Sequence, residues 1–230
     1  MKNNKSYIWI SLIVLIFGIY AVPKIIDRIN NGTVVNNDRL DNPNLSGPKS
    51  KADLITIGAV KDFSLINQNS LKISNTYLLG KVYVVEFFFT KCPTICPIMN
   101  RNMVKIQNEF SNNPNFGIVS ITIDPENDTS EVLKEHAKAL EVTSPNWHFL
   151  TGDKKYIMDL SNKGFNLYAA QNPKISGGFE HSGLFALIDK KGNVRSRKDN
   201  FGNVIVYYDG TQDEGVTMLK NDIKLLLEEK

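Results

Sequence analysis

Residues 82–89, VYVVEFFF, set the fold class of this chain. Except for Glu86, their side chains are apolar on both faces of an extended strand, and a strand needs that pattern only where a sheet is covered on both sides. Segments with helix and strand patterns alternate after this run, which is typical of an α/β layer architecture. The sequence therefore predicts an α/β domain in which 82–89 is a central strand.

The remaining elements are predicted from hydrophobic spacing and turn residues. Segments 62–66 and 71–73 flank a polar turn and predict a hairpin. Further strands are predicted at 117–123, 147–150 and 184–188, and helices are predicted from Pro97, over about 129–140, after Asp153 and over about 212–229.

The composition fits a single folded domain. The chain has 230 residues, of which 42% are hydrophobic, and its formal net charge of +3 is too small to indicate a nucleic-acid partner. Residues 30–51 are rich in Asn, Asp, Pro, Gly and Ser and predict a flexible tether. We therefore expect a membrane anchor with its flanks at 1–29, a tether at 30–51 and a folded domain at 52–230.

The expected anchor is an apolar segment at residues 7–22, with Lys2 and Lys5 before it and Lys24 and Arg28 after it. It is a little shorter than the roughly 20 residues that cross a bilayer comfortably, and it predicts a single-pass membrane helix. A cleaved signal peptide is the alternative. The charge balance favours an N-terminus inside the cell and a domain on the periplasmic side of the inner membrane.

The only two cysteines, Cys92 and Cys96, lie between the central strand and the next predicted helix. A disulfide across so short a loop would remove little chain entropy, so the pair is a poor structural staple. The helix N-terminus favours thiolates, which can bind a soft metal or cycle between dithiol and disulfide. Two thiolates suit Cu(I), and a nearby imidazole would let the site hold Cu(II) as well. Zinc is less suited, because structural zinc sites normally take four protein ligands.

Other polar residues are candidates for the same site. His181 is predicted on a loop at a sheet end, where a histidine is ordinarily solvated, while His136 is predicted to be a solvated helix residue and His148 a strand residue. Asp124 ends a predicted strand and could support the cysteine loop without binding the metal. Helix capping accounts for the neighbouring Asp128 or Thr129.

Glu86 interrupts an apolar strand, where an ionised carboxylate is costly without a partner. One interpretation is structural, with the carboxylate reaching solvent or a lysine. The other is functional, because a buried acid with a raised pKa can accept or return a proton when a cysteine pair reacts.

These residues resemble the Sco/SenC family of membrane-tethered copper proteins with a thioredoxin-like fold. The resemblance covers about residues 57–192 and is carried by five segments in the family's order: GK at 80–81, FTKCPTICP at 89–97, TIDPENDT at 122–129, WHFLTG at 147–152 and HS at 181–182.

The resemblance implies that Cys92, Cys96 and His181 are ligands of copper, as Cu(I) or Cu(II). It also implies that the protein helps deliver copper to the binuclear copper A site of cytochrome c oxidase. The subunit that carries this site is then the expected partner, with other copper chaperones or thiol reductases as further partners. Two features depart from the family: Glu180 stands where an Asp is usual, and residues 195–209 do not align.

The enzymatic alternative is an extracytoplasmic thiol–disulfide oxidoreductase or a peroxiredoxin relative. Glu86 supports the oxidoreductase alternative, because thioredoxins carry a buried Asp at the same position, six residues before the first cysteine. Thioredoxin-type enzymes use Cys-x-x-Cys and a cis-proline before a later strand, whereas here the cysteine spacing is one residue longer and Ser182 and Gly183 precede the strand. Peroxiredoxins place Thr or Ser three residues before the reactive cysteine, but Thr90 is two before Cys92. Both comparisons favour a metallochaperone.

Overall fold

The structure is a computed structural model, and the chain divides into two compact units, Met1–Lys51 and Ala52–Lys230. The residues that it describes are 6–30, 54–199 and 202–229.

The first unit contains helix α1, Ser6–Asn30, with Pro23 inside it. Its described side chains, at positions 10–24, are mostly exposed. Within the described parts of the chain, no helix combines the length and the apolar character needed to cross a membrane. The predicted tether at 30–51 lies almost wholly outside the described residues, so the division into anchor, tether and domain stays a prediction.

The second unit alternates strands and helices. Its strands are β1 (Ile55–Ala59), β2 (Ser64–Asn67), β3 (Lys72–Ser74), β4 (Val82–Phe88), β5 (Phe116–Thr122), β6 (Trp147–Thr151), β7 (Ala169–Gln171), β8 (Phe179–His181), β9 (Leu184–Ile188), β10 (Asn193–Ser196) and β11 (Tyr208–Asp209). Its α-helices are α2 (Cys96–Phe110), α3 (Ser130–Ala139), α4 (Lys154–Asp159) and α5 (Asp213–Glu228).

A mixed sheet forms the centre of this unit, in the order β1-β10-β9-β4-β5-β6-β2-β3, with β11 also pairing with β9. Strand β4 is parallel to β5 and antiparallel to β9, and β5 is parallel to β6. Every residue of β4 and β5 is buried, which is the reason that both segments are apolar on both faces except at Glu86, Ser120 and Thr122. The predicted α/β class is confirmed, with the central mixed sheet of a thioredoxin-like fold.

The parallel pairing of β4 and β5 decides where the cysteines lie. Two parallel neighbours need a crossover connection, and α2 supplies it. The carboxyl ends of β4 and β5 therefore meet at the same edge of the sheet, and the loop with Cys92 and Cys96 leaves β4 at that edge. Loops at the carboxyl ends of parallel strands are the usual place for binding sites in α/β proteins.

Most predicted elements are confirmed. The hairpin is β2 with β3, antiparallel, with Leu65 opposite Ile73. The helix after Asp153 is α4, and the Asp153 carboxylate caps it by accepting a hydrogen bond from Tyr156 N at 2.7 Å. Five strands are not predicted from the sequence: β1, β7, β8, β10 and β11. Each has five residues or fewer, too short for a periodic pattern to distinguish a strand from a loop.

The prediction for His136 is wrong. The residue is on α3, but its ring packs inward, stacked on Phe88 at 5.5 Å and edge-on to Phe149 at 5.7 Å. Burial lowers the pKa of His136, so the imidazole is neutral at pH 7. Charged neighbours in the sequence, Glu135 and Lys138, lie on the exposed face of the same helix and give no indication of this packing.

Candidate metal centre

The cysteine loop is a tight connection between β4 and α2. The Cys92 N–H donates to the Phe89 carbonyl at 3.2 Å, which closes a turn directly after the strand. Helix α2 then begins at Cys96, with Pro97 in its first turn, where a missing N–H is tolerated. Both thiols are free, with exposed fractions of 8% for Cys92 and 2% for Cys96. The local sequence therefore holds both sulfur atoms at the N-terminus of α2.

The hairpin formed by β7 and β8 lies against this loop. The Phe89 ring is 5.4 Å from the Phe179 ring and 5.9 Å from the His181 ring. Gly177, between the two strands, has φ +88°, and a Cβ there would lie 3.0 Å from Phe89 and from Pro93. A glycine is required at this position both by the backbone angle and by the close approach.

Glu180 accepts hydrogen bonds from the two residues that flank β7 in the same hairpin. Its carboxylate accepts hydrogen bonds from Asn172 Nδ2 at 2.5 Å and from Tyr168 Oη at 3.1 Å. The longer side chain that replaces the usual Asp is therefore engaged with the hairpin itself, one residue before His181.

The structure brings Cys92, Cys96 and His181 together. Their ligand atoms lie within 4.8 Å of one another, and the Cys96 Sγ is 3.0 Å from His181 Nε2. His181 Nδ1 lies 3.1 Å from the Ser182 carbonyl oxygen, which can only accept a hydrogen bond. The proton of a neutral imidazole is thus on Nδ1, and the Nε2 lone pair faces the sulfur atoms. This is the orientation that a metal-binding histidine needs.

The two thiols differ in acidity. The contact with the Cys96 thiol, with a smaller contribution from His181, lowers the pKa of Cys92 to about 3. The same contact, together with burial, raises the pKa of Cys96. The pair therefore shares one proton, with Cys92 as thiolate and Cys96 as thiol. A thiolate is both the metal-binding and the nucleophilic form of cysteine.

Glu86 lies in β4 with no exposed surface. Its Oε1 accepts a hydrogen bond from Ser120 Oγ at 2.6 Å, and Ser120 Oγ in turn accepts one from Trp147 Nε1 at 3.0 Å. Among the described residues, Glu86 Oε2 has no hydrogen-bond partner. Burial raises the pKa of Glu86 to about 7, against the opposing effects of Ser120 and of nearby His181. The ion pairs of the described residues include no lysine partner for Glu86, which the structural interpretation allowed, and the titratable acid lies near the cysteine pair.

Asp124 does not contact the cysteine loop through a side-chain hydrogen bond in the described part of the chain; its backbone N–H donates to Thr122 Oγ1 at 3.0 Å. Asp128 is the acid that does, through Thr90. The sequence predicts Asp128 or Thr129 as the cap of the next helix, and Thr129 caps α3. The sequence signal for this contact is the polar run after β5, but the run does not indicate which of its acids lies towards the cysteine loop.

His148 is placed away from the three donors, as a buried residue of β6, which confirms its prediction as a strand residue. Its Nδ1 is 3.4 Å from Asn67 Nδ2, and burial lowers its pKa to about 4. Of the three histidines, His181 alone has its ring beside the cysteine pair.

A family model described as SCO1/SenC matches residues 56–212 of the chain. The chain belongs to the SCO1/SenC family. It is 33% identical over 137 residues to the SCO1 protein homolog of Bacillus subtilis, an alignment that covers 59% of this chain and 70% of that protein.

Solved structures agree with the membership in the SCO1/SenC family. The fold is similar to BsSco, described as a member of the Sco family of cytochrome c oxidase assembly proteins with a disulfide switch: the TM-score is 0.64 at 27% identity, over 78% of this chain and 98% of that one. It is also similar to yeast Sco1 with copper bound, with a TM-score of 0.56 at 24% identity, over 75% and 90% of the two chains. The second likeness concerns the fold alone.

Proposed function

We propose that this SCO1/SenC chain binds one copper ion through Cys92, Cys96 and His181 and delivers it during the assembly of cytochrome c oxidase. The recipient in this proposal is the binuclear copper A site, and the partner is the oxidase subunit that carries it. The related BsSco is described as an oxidase assembly protein, and yeast Sco1 has been solved with copper bound. Copper is the cargo of this function.

The observation that carries the proposal is the convergence of two sulfur atoms and one imidazole nitrogen within 4.8 Å. Thiolates are soft ligands that select Cu(I), and an imidazole adds the ligand that Cu(II) requires. The low pKa of Cys92 supplies one thiolate without a metal, whereas Cys96 must lose its proton when the ion binds. Copper binding should therefore release a proton, and its affinity should rise with pH.

The test is titration of the reduced full chain, purified in detergent, with Cu(I) and with Cu(II). Replacing either cysteine by Ser should abolish binding of both ions. His181→Ala should weaken the Cu(II) complex and change its sulfur-to-copper absorption, while Cu(I) remains held by the two thiolates.

Two matched histidine variants sharpen this test. His136→Gln and His148→Gln remove the other imidazoles of the chain and should leave the Cu(II) spectrum of the folded protein unchanged. Equal Cu(II) spectra for the wild type and His181→Ala would remove His181 from the site.

A dithiol–disulfide reaction is a second candidate function, favoured by the shared proton of the cysteine pair and by Glu86 beside it. The Cys92 thiolate attacks a disulfide of a partner protein and displaces one of its sulfur atoms as a thiolate. Cys96 then loses its proton, for which the nearby Glu86 carboxylate is the proposed acceptor, attacks the Cys92 sulfur and releases the second partner thiolate. The partner is reduced by two electrons and the cysteine pair is oxidised to a disulfide.

Copper binding and this oxidation should exclude each other, because both use the same sulfur atoms. Copper titration of the fully oxidised chain tests this exclusion. Alkylation rates of the reduced chain against pH test the role of Glu86 in thiol deprotonation. If Glu86 accepts the proton, Glu86→Gln should slow the reaction of Cys96 near pH 7. Superimposable rate profiles for Glu86→Gln and the wild type would leave Glu86 with a structural role only.

We also propose that residues 1–29 anchor the chain in the inner membrane, with the metal centre on the periplasmic side. Support comes from the apolar side chains on the exposed surface of α1, such as Phe17 and Ile13. Extraction of membranes at alkaline pH tests the anchoring, and protease digestion of intact spheroplasts tests the side. Release at alkaline pH would leave only a peripheral association.

A further inference from the structure

Asp128, a carboxylate without exposed surface, lies beside the cysteine loop. Its Oδ2 accepts hydrogen bonds from Thr90 N at 3.0 Å and from Thr122 Oγ1 at 2.6 Å. Its Oδ1 accepts from Asn127 Nδ2 at 2.6 Å and from the Thr90 hydroxyl. An ionised carboxylate offers about four lone-pair positions, so its hydrogen-bonding capacity is filled.

These donors are all neutral. None of the ion pairs formed by the described residues includes Asp128. A buried charge without a counter-ion is costly unless every acceptor position is satisfied, so each donor around Asp128 is held strongly in place. The cap of α3 does not need this carboxylate, because the Thr129 hydroxyl already accepts from Val132 N at 3.4 Å.

Two of the four hydrogen bonds go to Thr90, and Thr90 is the second residue of the turn that ends at Cys92. That turn is closed by the bond from Cys92 N to the Phe89 carbonyl. Asn127 Nδ2 also donates to Thr90 Oγ1 at 3.2 Å, which fixes the hydroxyl from the other side. The backbone and the side chain of the same turn residue are thus tied to the end of β5 through Thr122.

We propose that Asp128 is a positioning residue for the metal centre: it ties the Thr90 turn to the end of β5 and so sets the place of Cys92 relative to Cys96 and His181. The inference rests on the proposed copper function, to which it adds a residue that never touches the ion. While Asp128 holds Thr90, the turn leaves Cys92 little freedom to move. When the hydrogen bonds to Asp128 are lost, Cys92 is free to shift.

The main variant is Asp128→Asn in the full chain. An amide offers one acceptor oxygen in place of two, so two of the four donors lose their acceptor. We expect the Cu(II) affinity to fall by about 10- to 100-fold, as for other groups that orient metal ligands. The sulfur-to-copper absorption band should shift, while the stoichiometry remains one copper per chain.

Asp124→Asn is the matched control, because it makes the same chemical change at the same turn without a hydrogen bond to the loop. Its Cu(II) affinity and spectrum should equal those of the wild type.

A pair of Thr90 variants tests the same contact from the donor side. This pair keeps the inference testable if Asp128→Asn does not fold. Thr90→Val removes only the hydroxyl and should reproduce the spectral shift, whereas Thr90→Ser keeps the hydroxyl and should restore the wild-type spectrum.

A purely structural Asp128 would lower the unfolding temperature without changing the spectrum of the folded protein. A folded Asp128→Asn or Thr90→Val with wild-type Cu(II) affinity and absorption would therefore overturn the inference. Wild-type protein that binds no copper would instead overturn the proposed function. The alkylation rate of Cys92 in the metal-free chain gives an independent readout, which should change in Asp128→Asn and Thr90→Val but not in Asp124→Asn.

Discussion

Glu86 in β4 and Asp222 in α5 are buried to the same extent, since neither has exposed surface. Asp222 accepts a hydrogen bond from Arg197 Nε at 2.7 Å, a second from Arg197 Nη2 and a third from Tyr208 Oη at 2.7 Å. Glu86 accepts one, from Ser120. A cation compensates the charge of Asp222, whereas within the described part of the chain Glu86 has neither a cationic partner nor a second hydroxyl donor.

The difference separates a structural acid from a titratable one. Asp222 ties α5 to β11 through Tyr208 and to the segment after β10 through Arg197. Glu86 has its pKa raised to about 7 by burial and lies near His181 and the cysteine pair. Groups whose pKa lies near the working pH are concentrated at functional sites, so the incomplete compensation of Glu86 fits a role in proton transfer.

The largest effect is expected for Asp222→Ala, which leaves the Arg197 guanidinium and the Tyr208 hydroxyl without their partner. Removing one member of a buried ion pair typically costs about 3–5 kcal/mol, and the partial exposure of Arg197 places the loss near the lower end. Urea unfolding of the full chain measures it. A loss of unfolding free energy below about 1 kcal/mol would mean that the ion pair with Arg197 does not make Asp222 a structural acid.

The next effect is the pH dependence caused by Glu86. Below pH 4.5 the acid is protonated in the folded and unfolded chains alike, so it does not affect stability. Between pH 4.5 and about 7 only the unfolded chain ionises, so stability falls as pH rises. At higher pH the full penalty applies, up to about 3 kcal/mol at about 1.4 kcal/mol per pKa unit.

Glu86→Gln should remove this penalty from the dependence of the unfolding free energy on pH. The useful quantity is the difference in unfolding free energy between the two proteins at pH 4, 6 and 8, because the other titrating groups, the cysteine pair included, are present in both. The difference should grow with pH by about 3 kcal/mol in favour of Glu86→Gln. A difference that does not change with pH would contradict a raised pKa.

The smallest effect is expected for a matched pair, Tyr208→Phe and Ser120→Ala, which each remove one hydroxyl donor from a buried acid. Each should cost about 1–2 kcal/mol in urea unfolding. The two should differ in pH dependence: Ser120→Ala raises the pKa of Glu86 further, because Ser120 stabilises the ionised form. Tyr208→Phe should leave the pH profile unchanged, since Arg197 still compensates Asp222. Identical profiles for the two variants would remove the distinction between the acids.

The sequence predicts the parts of this molecule that depend on local pattern. The apolar run at 82–89, the cysteines before Pro97 and the single acid within the strand identify β4, the start of α2 and the unusual Glu86. These predictions succeed because a covered strand and a helix start each have a signature within a few residues.

Features that depend on partners far along the chain could not be predicted in the same way. Asp128 holds Thr90, which is 38 residues earlier, and Ser120 bonds to Glu86 across 34 residues. His136 packs on Phe88 because α3 lies against the sheet, and nothing beside it in the sequence carries that information. The meeting of His181 with the cysteines was implied only by the family resemblance.

The crossover between β4 and β5 also dictates an order of events during biogenesis. The cysteines lie inside that crossover, and His181 comes from a hairpin 85 residues after Cys96. An unfolded chain therefore holds at most two adjacent sulfur donors, and the complete set exists only once the parallel strands and the hairpin have formed. Because Cu(II) needs the imidazole as well as the two thiolates, loading with Cu(II) should follow folding, so a cell that lacks copper should still accumulate the folded, empty protein rather than degrade an unfolded one.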